Sequence, residues 1–306
     1  MPDPTPSPSI LEPAVLSRLL ALPLNARQAM LGGVSGRHRS PVRGSSIEFA
    51  QYRKYVPGDD TRRLDWRTWG RTDRFYIKEF EADTNLRLAL IVDASGSMGY
   101  AGPNGGTARM DFARRLAGTL GYLAAQQGDA VGVWGVGADH RKKIPVKRGA
   151  AHLRLVLDQL GQLQPKGATT ILESLHEAAE QISQRALVVV VSDFFVQPAE
   201  LKGALQHLRF RKHDIALFHL IDPIELDFNF DRPARFEDME GGETVLADPS
   251  LIASRYKEVV RNYLTEMDEV IRTTGADYHR AMLSDSYEDV LARFLLSRLQ
   301  KRGGRK

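Results

Sequence analysis

The stretch LRLALIVDASGSM at residues 86–98 constrains the fold more than any other part of the chain. A short apolar run reaching Val92 suits a strand buried on both faces, as in a parallel sheet covered by helices. The run ends in Asp93, and Ser95 and Ser97 follow, with Gly96 easing the turn. One carboxylate and two hydroxyls therefore leave a strand end together. A hard divalent cation such as Mg²⁺ favours oxygen ligands of this kind and keeps several waters. Two rival chemistries fit worse. A Gly-x-Ser-x-Gly nucleophile elbow needs glycine two residues before its serine, where Asp93 and Ser95 stand. An Asp-x-Asp nucleophile loop would need a second carboxylate at Ser95. The plain alternative is a strand closed by an ordinary Asp/Ser turn.

The rest of the chain supplies a sheet for that strand. Strands are expected over 130–136, 141–147 at a charged edge, 186–191, 215–221 and 278–283. Helices are expected over 107–127, 153–163, 171–183, 199–210, 251–273 and 287–299. The segment 222–250 reads as a long irregular insertion with a hairpin across Gly241 and Gly242. Strands alternating with helices predict an α/β fold with a doubly wound, mostly parallel sheet. Ligands sit at the carboxyl ends of such strands, at the topological switch point. Asp93 ends the first strand and Asp193 the fourth, and Gly167-Ala-Thr169-Thr170 opens a helix between them. A threonine there could equally cap the helix. The Gly-rich loop at 99–106 lacks Gly-Lys-Ser/Thr and is not a phosphate loop.

Ahead of this domain the texture differs. Residues 1–9 are rich in proline and serine and are expected to be disordered. Residues 10–31 read as two helical pieces broken near Pro23, so 1–32 form a leader. Residues 33–84 read as a small β-rich module in which aromatics alternate with arginines, with a turn at Pro57-Gly58-Asp59-Asp60 and a strand over 74–80.

Charge is distributed unevenly. Residues 36–78 hold 11 basic and 5 acidic side chains, 79–289 hold 23 and 31, and 290–306 hold six basic and no acidic ones. Opposite-sign segments in one chain dock on each other or on a partner more readily than on DNA. Arg53, Arg62, Arg63, Arg67, Arg71 and Arg74 beside Trp66 and Trp69 could stack on nucleobases. Asp59, Asp60 and Asp65 among them would repel phosphate, so an ion-pair network with a buried Trp66, tying the module to the acidic domain, is the preferred expectation. The basic C-terminal segment is expected to be a solvated helix end. His176-Glu177-Ala-Ala-Glu180 lacks the second histidine of a zinc-protease helix and reads as a solvated face. The absence of cysteine excludes disulfides and thiolate metal sites. No apolar run approaches the roughly 20 residues of a membrane span, and no signal peptide is evident, so a cytoplasmic protein is expected.

Residues 86–283 resemble a von Willebrand factor A domain, and Asp93-x-Ser95-x-Ser97 resembles its metal-ion-dependent adhesion site. The resemblance implies Asp93, Ser95, Ser97, Thr169 and Asp193 as ligands of Mg²⁺ or Mn²⁺, with Thr170 as an alternative to Thr169. Ser-Asp-Phe at 192–194 stands where Thr-Asp-Gly is common. Glu48-Phe49, Tyr52-Arg53-Lys-Tyr55-Val-Pro57-Gly58-Asp59-Asp60, Arg63-Leu-Asp65-Trp66 and Arg71-Thr-Asp73 are similar to the signature of the bacterial DUF58 family. On that resemblance residues 85–306 form a von Willebrand A-like domain with the 222–250 insertion and a C-terminal helix. Members are commonly encoded beside MoxR-type AAA+ ATPases. The resemblance thus implies a non-enzymatic interaction module, an adaptor or co-chaperone of such an ATPase and an unknown client. A partner carboxylate would complete the metal's shell at the open strand ends, gated by the loop 99–106. The alternatives are a Mg²⁺-dependent hydrolase using Asp93 and Asp193, and nucleic-acid binding through residues 36–78. The first needs a general base, and no poised histidine is evident near either aspartate.

Overall fold

The computed structural model describes residues 10–24, 49–56, 65–72, 74–80, 86–102, 105–137, 143–230, 232–242 and 244–303. The leader 1–9, the second helical piece beyond Pro23, the Pro57–Asp60 turn, Arg62, Arg63 and Asp73 lie outside them. So do the side chains of Arg53 and Arg67. The chain divides into two compact units, residues 28–86 and the remainder.

In the small unit, β1 (Phe49–Lys54) pairs antiparallel with β2 (Tyr76–Phe80). Between them the expected strands give way to a helix, which with α1 (Pro13–Leu19) before it is numbered α2 (Trp66–Thr72). The reason is a local cap. Asp65 accepts from the Thr68 amide at 3.2 Å and from the Thr68 hydroxyl at 3.1 Å, satisfying a donor of the first turn. Asp65 is 5% exposed, whereas Trp66 is 58% exposed. The expected burial of Trp66 is therefore corrected. Its ring meets Trp69 edge-on, and Trp69 stacks on Phe75 with centroids 5.8 Å apart.

The large unit is built on a six-stranded sheet. Its strands are β3 (Arg87–Asp93), β4 (Ala130–Val136), β5 (Lys143–Lys147), β6 (Leu187–Ser192), β7 (Asp214–Ile221) and β10 (Asp277–Met282). The spatial order is β10-β7-β6-β3-β4-β5. All neighbours run parallel except β5, the charged edge strand carrying Pro145. The sequence alternation has its cause in burial: β6 and β7 are buried at every residue, and β3 at all but its first. Helices α3 (Arg109–Gln126), α4 (Ala150–Gln162), α5 (Ile171–Gln181), α6 (Pro198–Phe210), α8 (Pro249–Thr274) and α9 (Tyr287–Gly303) flank it. One core joins Ala89 and Ile91 of β3 to Leu175, Leu205 and Met267 of α5, α6 and α8.

The chain leaves β3 for β4 on one side and later returns to β6 on the other. The switch point therefore falls between β3 and β6, the strands that end at Asp93 and just before Asp193. The insertion is more ordered than expected. It holds the short helix α7 (Pro223–Asp227) and an antiparallel hairpin of β8 (Ala234–Glu237) and β9 (Thr244–Ala247). Among the described residues no helix is long and apolar enough to cross a membrane.

Candidate functional site

Asp93 leaves β3 with its side chain 1% exposed and three donors on it. Its Oδ1 accepts from the Ser95 amide at 3.0 Å. Its Oδ2 accepts from the Ser192 hydroxyl at 2.7 Å and the Thr169 hydroxyl at 3.3 Å. A 3-10 turn at Gly96–Gly99 follows and brings Ser97 back beside Ser95, with Oγ atoms 3.1 Å apart. Thr169, rather than Thr170, thus faces Asp93; Thr170 precedes α5 without a side-chain cap bond. All five sequence-derived residues meet at one place: the hydroxyls of Ser95, Ser97 and Thr169 around Asp93, and Asp193 across the switch point.

Asp193 is placed by a strained turn. Phe194, where the resembled family commonly has glycine, takes φ +50. A bulky residue in the left-handed region costs on the order of 1–3 kcal/mol. The complete burial of its ring and the Ser192 hydroxyl accepting from its amide at 2.9 Å offset that strain.

Four further groups complete the site. Arg109, 2% exposed, donates through Nη1 to Asp193 Oδ2 at 2.8 Å and to the Ser97 carbonyl at 3.2 Å, and through Nη2 to Glu225. Glu225 also closes a capping box with Asp222 at the start of α7. Ser192 bridges Asp93 and Phe194. Glu240, from the tip of the β8–β9 hairpin, accepts from the Ser97 hydroxyl through Oε1 at 3.1 Å and from the Thr169 amide through Oε2 at 3.0 Å. Sequence signals existed only for Ser192, quoted beside Asp193. The site is accordingly not open toward solvent, as expected from the fold, but covered by the hairpin tip. Within the loop 99–106, Pro103 and Asn104 lie outside the described residues.

Burial pushes Asp93 above the ordinary carboxylate range, opposed by the hydroxyl and amide donors on it. Burial pushes Asp193 up to about 7, although Arg109 beside it pulls the other way. Burial opposes the Arg109 charge too, yet Asp193 and Glu225 hold its guanidinium above its usual range. Of the site's four carboxylates, Asp193 and Glu225 meet the Arg109 guanidinium, while Asp93 and Glu240 are held by hydroxyl and amide donors.

The donor set fits a small divalent cation. Octahedral coordination at about 2.0–2.1 Å puts adjacent ligand oxygens about 2.9 Å apart. The Ser95–Ser97 and Ser97–Glu240 oxygen pairs, both 3.1 Å, are near that spacing. Among the described residues no three histidine, aspartate or glutamate side chains converge tightly enough to hold a metal by themselves. A cation here would therefore depend on hydroxyls and water, which suits Mg²⁺ or Mn²⁺ better than Zn²⁺.

A histidine does lie near Asp193, but it is not poised as a base. His219 is paired with Ser192 across β6 and β7 and hydrogen-bonds the Asp193 backbone. Its Nδ1 lies 2.6 Å from the Tyr278 hydroxyl, and burial lowers its pKa to about 3. So weak a base is a poor acceptor for catalysis at neutral pH. His176, Glu177 and Glu180 are exposed on α5, the solvated face read from the sequence. The His176 Nδ1 lies 3.0 Å from Nδ1 of His207 on α6, and His207 also meets Glu180 at 2.8 Å.

A mostly parallel, doubly wound sheet with Asp-x-Ser-x-Ser at its switch point defines a von Willebrand A-like α/β protein. The chain belongs to the DUF58 family: the model described as "Protein of unknown function DUF58" matches residues 51–265. An uncharacterized protein of Mycobacterium tuberculosis, Rv1480, is 24% identical over 94% of this chain and 90% of its own length. Uncharacterized protein YeaD of Bacillus subtilis is 23% identical over 69% of this chain and 51% of its own. Among solved structures, an aerotolerance-related membrane protein of Bacteroides fragilis is 15% identical, covering 71% of this chain and 100% of its own with TM-score 0.48. The SpRpn10 VWA domain is 11% identical, covering 68% and 95% with TM-score 0.42. At these values neither likeness bears on function.

Proposed function

We propose that the protein is a non-enzymatic, metal-dependent interaction module that captures a carboxylate of a partner protein. The observation that carries this reading is the meeting of Asp93, Ser95, Ser97, Thr169 and Asp193 at the switch point, with carboxylates in excess over cations. These five residues would hold Mg²⁺ or Mn²⁺. When bound, the cation supplies a positive centre able to accept one further anionic ligand. The chain's own residues do the rest. Ser192 and the Ser95 amide fix the Asp93 carboxylate. Arg109 fixes Asp193. Burial keeps competing water from both.

The partner we propose is an AAA+ ATPase of the MoxR type, on the strength of the family's gene neighbourhood, with a client protein as the third member. A hydrolase is the weaker reading, because the histidine nearest the aspartates is held neutral and bonded to Tyr278.

Calorimetry with Mn²⁺ and Mg²⁺ tests the site. Binding at micromolar to millimolar affinity is expected for a shell that keeps waters, with Zn²⁺ not preferred. Equal Mg²⁺ binding by wild type and Asp93→Ala would sink the reading. Capture of the purified ATPase should be lost in EDTA, restored by Mg²⁺ and abolished by Ser97→Ala in folded protein.

A further inference from the structure

The hairpin tip carries a group that the site as read from sequence does not use. Asp238 Oδ1 accepts from the Glu240 amide at 2.8 Å, and Gly241 takes φ +100, so the tip is a tight turn presenting Glu240. The Glu240 carboxylate then spans two loops, one oxygen on the Ser97 hydroxyl and the other on the Thr169 amide. The backbone fits closely as well. A Cβ on Gly96 would come within 1.9 Å of the Met239 carbonyl oxygen, so only glycine lets the tip approach. The Met239 side chain reaches toward Gly99, where a Cβ would lie 3.4 Å from its methyl carbon.

The hairpin is anchored at its root and lightly held at its tip. Phe236 stacks on Phe228 with centroids 5.9 Å apart, and Phe228 stacks on Tyr256 of α8 at 4.1 Å. Beyond that cluster, Met239, Val245 and Leu246 are exposed. Segments with few buried apolar contacts open at low cost while their anchors stay folded. The tip can therefore lift about a fixed root.

We propose that Glu240 is a built-in surrogate for the partner's carboxylate. This rests on the reading above that the site containing Ser97 and Thr169 takes a carboxylate of the partner. The Met239-Glu240 pair then describes the partner: an acidic residue preceded by an apolar one, presented on an exposed turn. The partner displaces the tip, and the hairpin sets a threshold that a weak carboxylate ligand does not cross.

The test uses full-length wild type, Glu240→Ala and Gly96→Ala, with a fluorescein-labelled peptide of residues 234–242 as probe. Glu240→Ala removes the surrogate; Gly96→Ala pushes the tip away without touching a charge. Each should bind the peptide at least tenfold more tightly than wild type by anisotropy, and a peptide with glutamine in place of Glu240 should lose that gain. The Thr169 amide should exchange with deuterium at least tenfold faster in Glu240→Ala. No gain in affinity for either variant, or an unchanged Thr169 amide, overturns the proposal. A gain that is the same in Mn²⁺ and in EDTA supports the surrogate and removes the cation from the reading it rests on.

Discussion

Two buried arginines serve opposite ends of the same sheet. Arg298 of α9, 3% exposed, lies at the amino ends, where its Nη1 meets Asp277 at 2.7 Å and its Nη2 lies 3.8 Å from Asp214. Arg185 adds a second guanidinium, 3.3 Å from Asp214. Arg109, 2% exposed, lies at the carboxyl ends among Asp93, Asp193, Glu225 and Glu240. Among the described residues at the amino ends, Asp277 and Asp214 each lie within 4 Å of a guanidinium. At the carboxyl ends one guanidinium meets two of four carboxylates, Asp193 and Glu225, and among the described residues Asp93 has no cationic partner. A compensated cluster needs nothing more and holds the fold together. An acid-rich one keeps an unmet demand for positive charge, and that is what distinguishes a site from a strut.

The largest effect should come from breaking the compensated end. Arg298→Met takes one guanidinium from buried Asp277 and from Asp214, which keeps Arg185, and should cost about 3–5 kcal/mol in chemical denaturation. Metal binding at the far end should stay as in wild type. A similar metal loss in this variant would show that the two ends are not independent.

The same end should respond to pH through His213. The ring is 1% exposed and accepts the Ala186 amide at 3.1 Å. Burial lowers its pKa from 6.5 to about 4, helped by Arg211 and Arg185 and opposed by Asp214. With the folded value below the unfolded one, the unfolded chain binds more protons between them. The contribution is whole above pH 6.5 and is lost as pH falls toward 4, about 2 kcal/mol between pH 7 and pH 5. Denaturation curves of His213→Asn should lack this component. An identical pH slope in both proteins would refute it.

At the acid-rich end the sign reverses: adding a cation should stabilise. Mg²⁺ at ten times its dissociation constant should raise wild-type stability by about 1.4 kcal/mol. The amino-end variants should gain as much, and Ser97→Ala should gain less. No rise in melting temperature at any Mg²⁺ concentration would place this end with the compensated one.

The smallest effect is the sharpest discriminator. Asp93→Asn removes one of the surplus charges while keeping an acceptor for the Ser95 amide. Without metal, its stability should differ from wild type by no more than about 1 kcal/mol, because a lost bond to a charged group is set against a relieved buried charge. Its response to Mg²⁺ should vanish. A loss comparable to that of Arg298→Met would make Asp93 a structural residue.

Much of the fold was legible because it rests on local signals. The apolar runs ending at Val92 and Val191 are buried without interruption, so their burial is written into consecutive residues. Pro145 and the charges around it marked β5 as an edge. Asp93, Ser95 and Ser97 were legible for the same reason: three oxygen donors on one loop need no distant residue to be noticed. Asp65 was read as structural, but the helix it caps was not, because the aromatics and arginines of residues 66–72 carry no apolar periodicity to announce it. Trp66 was misplaced as part of a buried ion-pair network, while here neighbouring rings cover only part of it.

The sequence by itself determined the order of the sheet's strands and the helices that flank it, and it determined that oxygen donors leave β3 at its carboxyl end. Backbone periodicity and loop composition are short-range properties, so reading them needs no knowledge of what lies across the fold. Tertiary structure alone decided what those donors meet. Arg109 lies 84 residues from Asp193, His176 lies 31 from His207, and Ser97 lies 143 from Glu240. Arg298 also follows no tail-like pattern: packing of α9 draws it from the basic C-terminal segment into the core. Electrostatic partners separated this far share no period or motif. Only the closing of the sheet, and the return of the hairpin over Gly96, brings the charges within reach of one another.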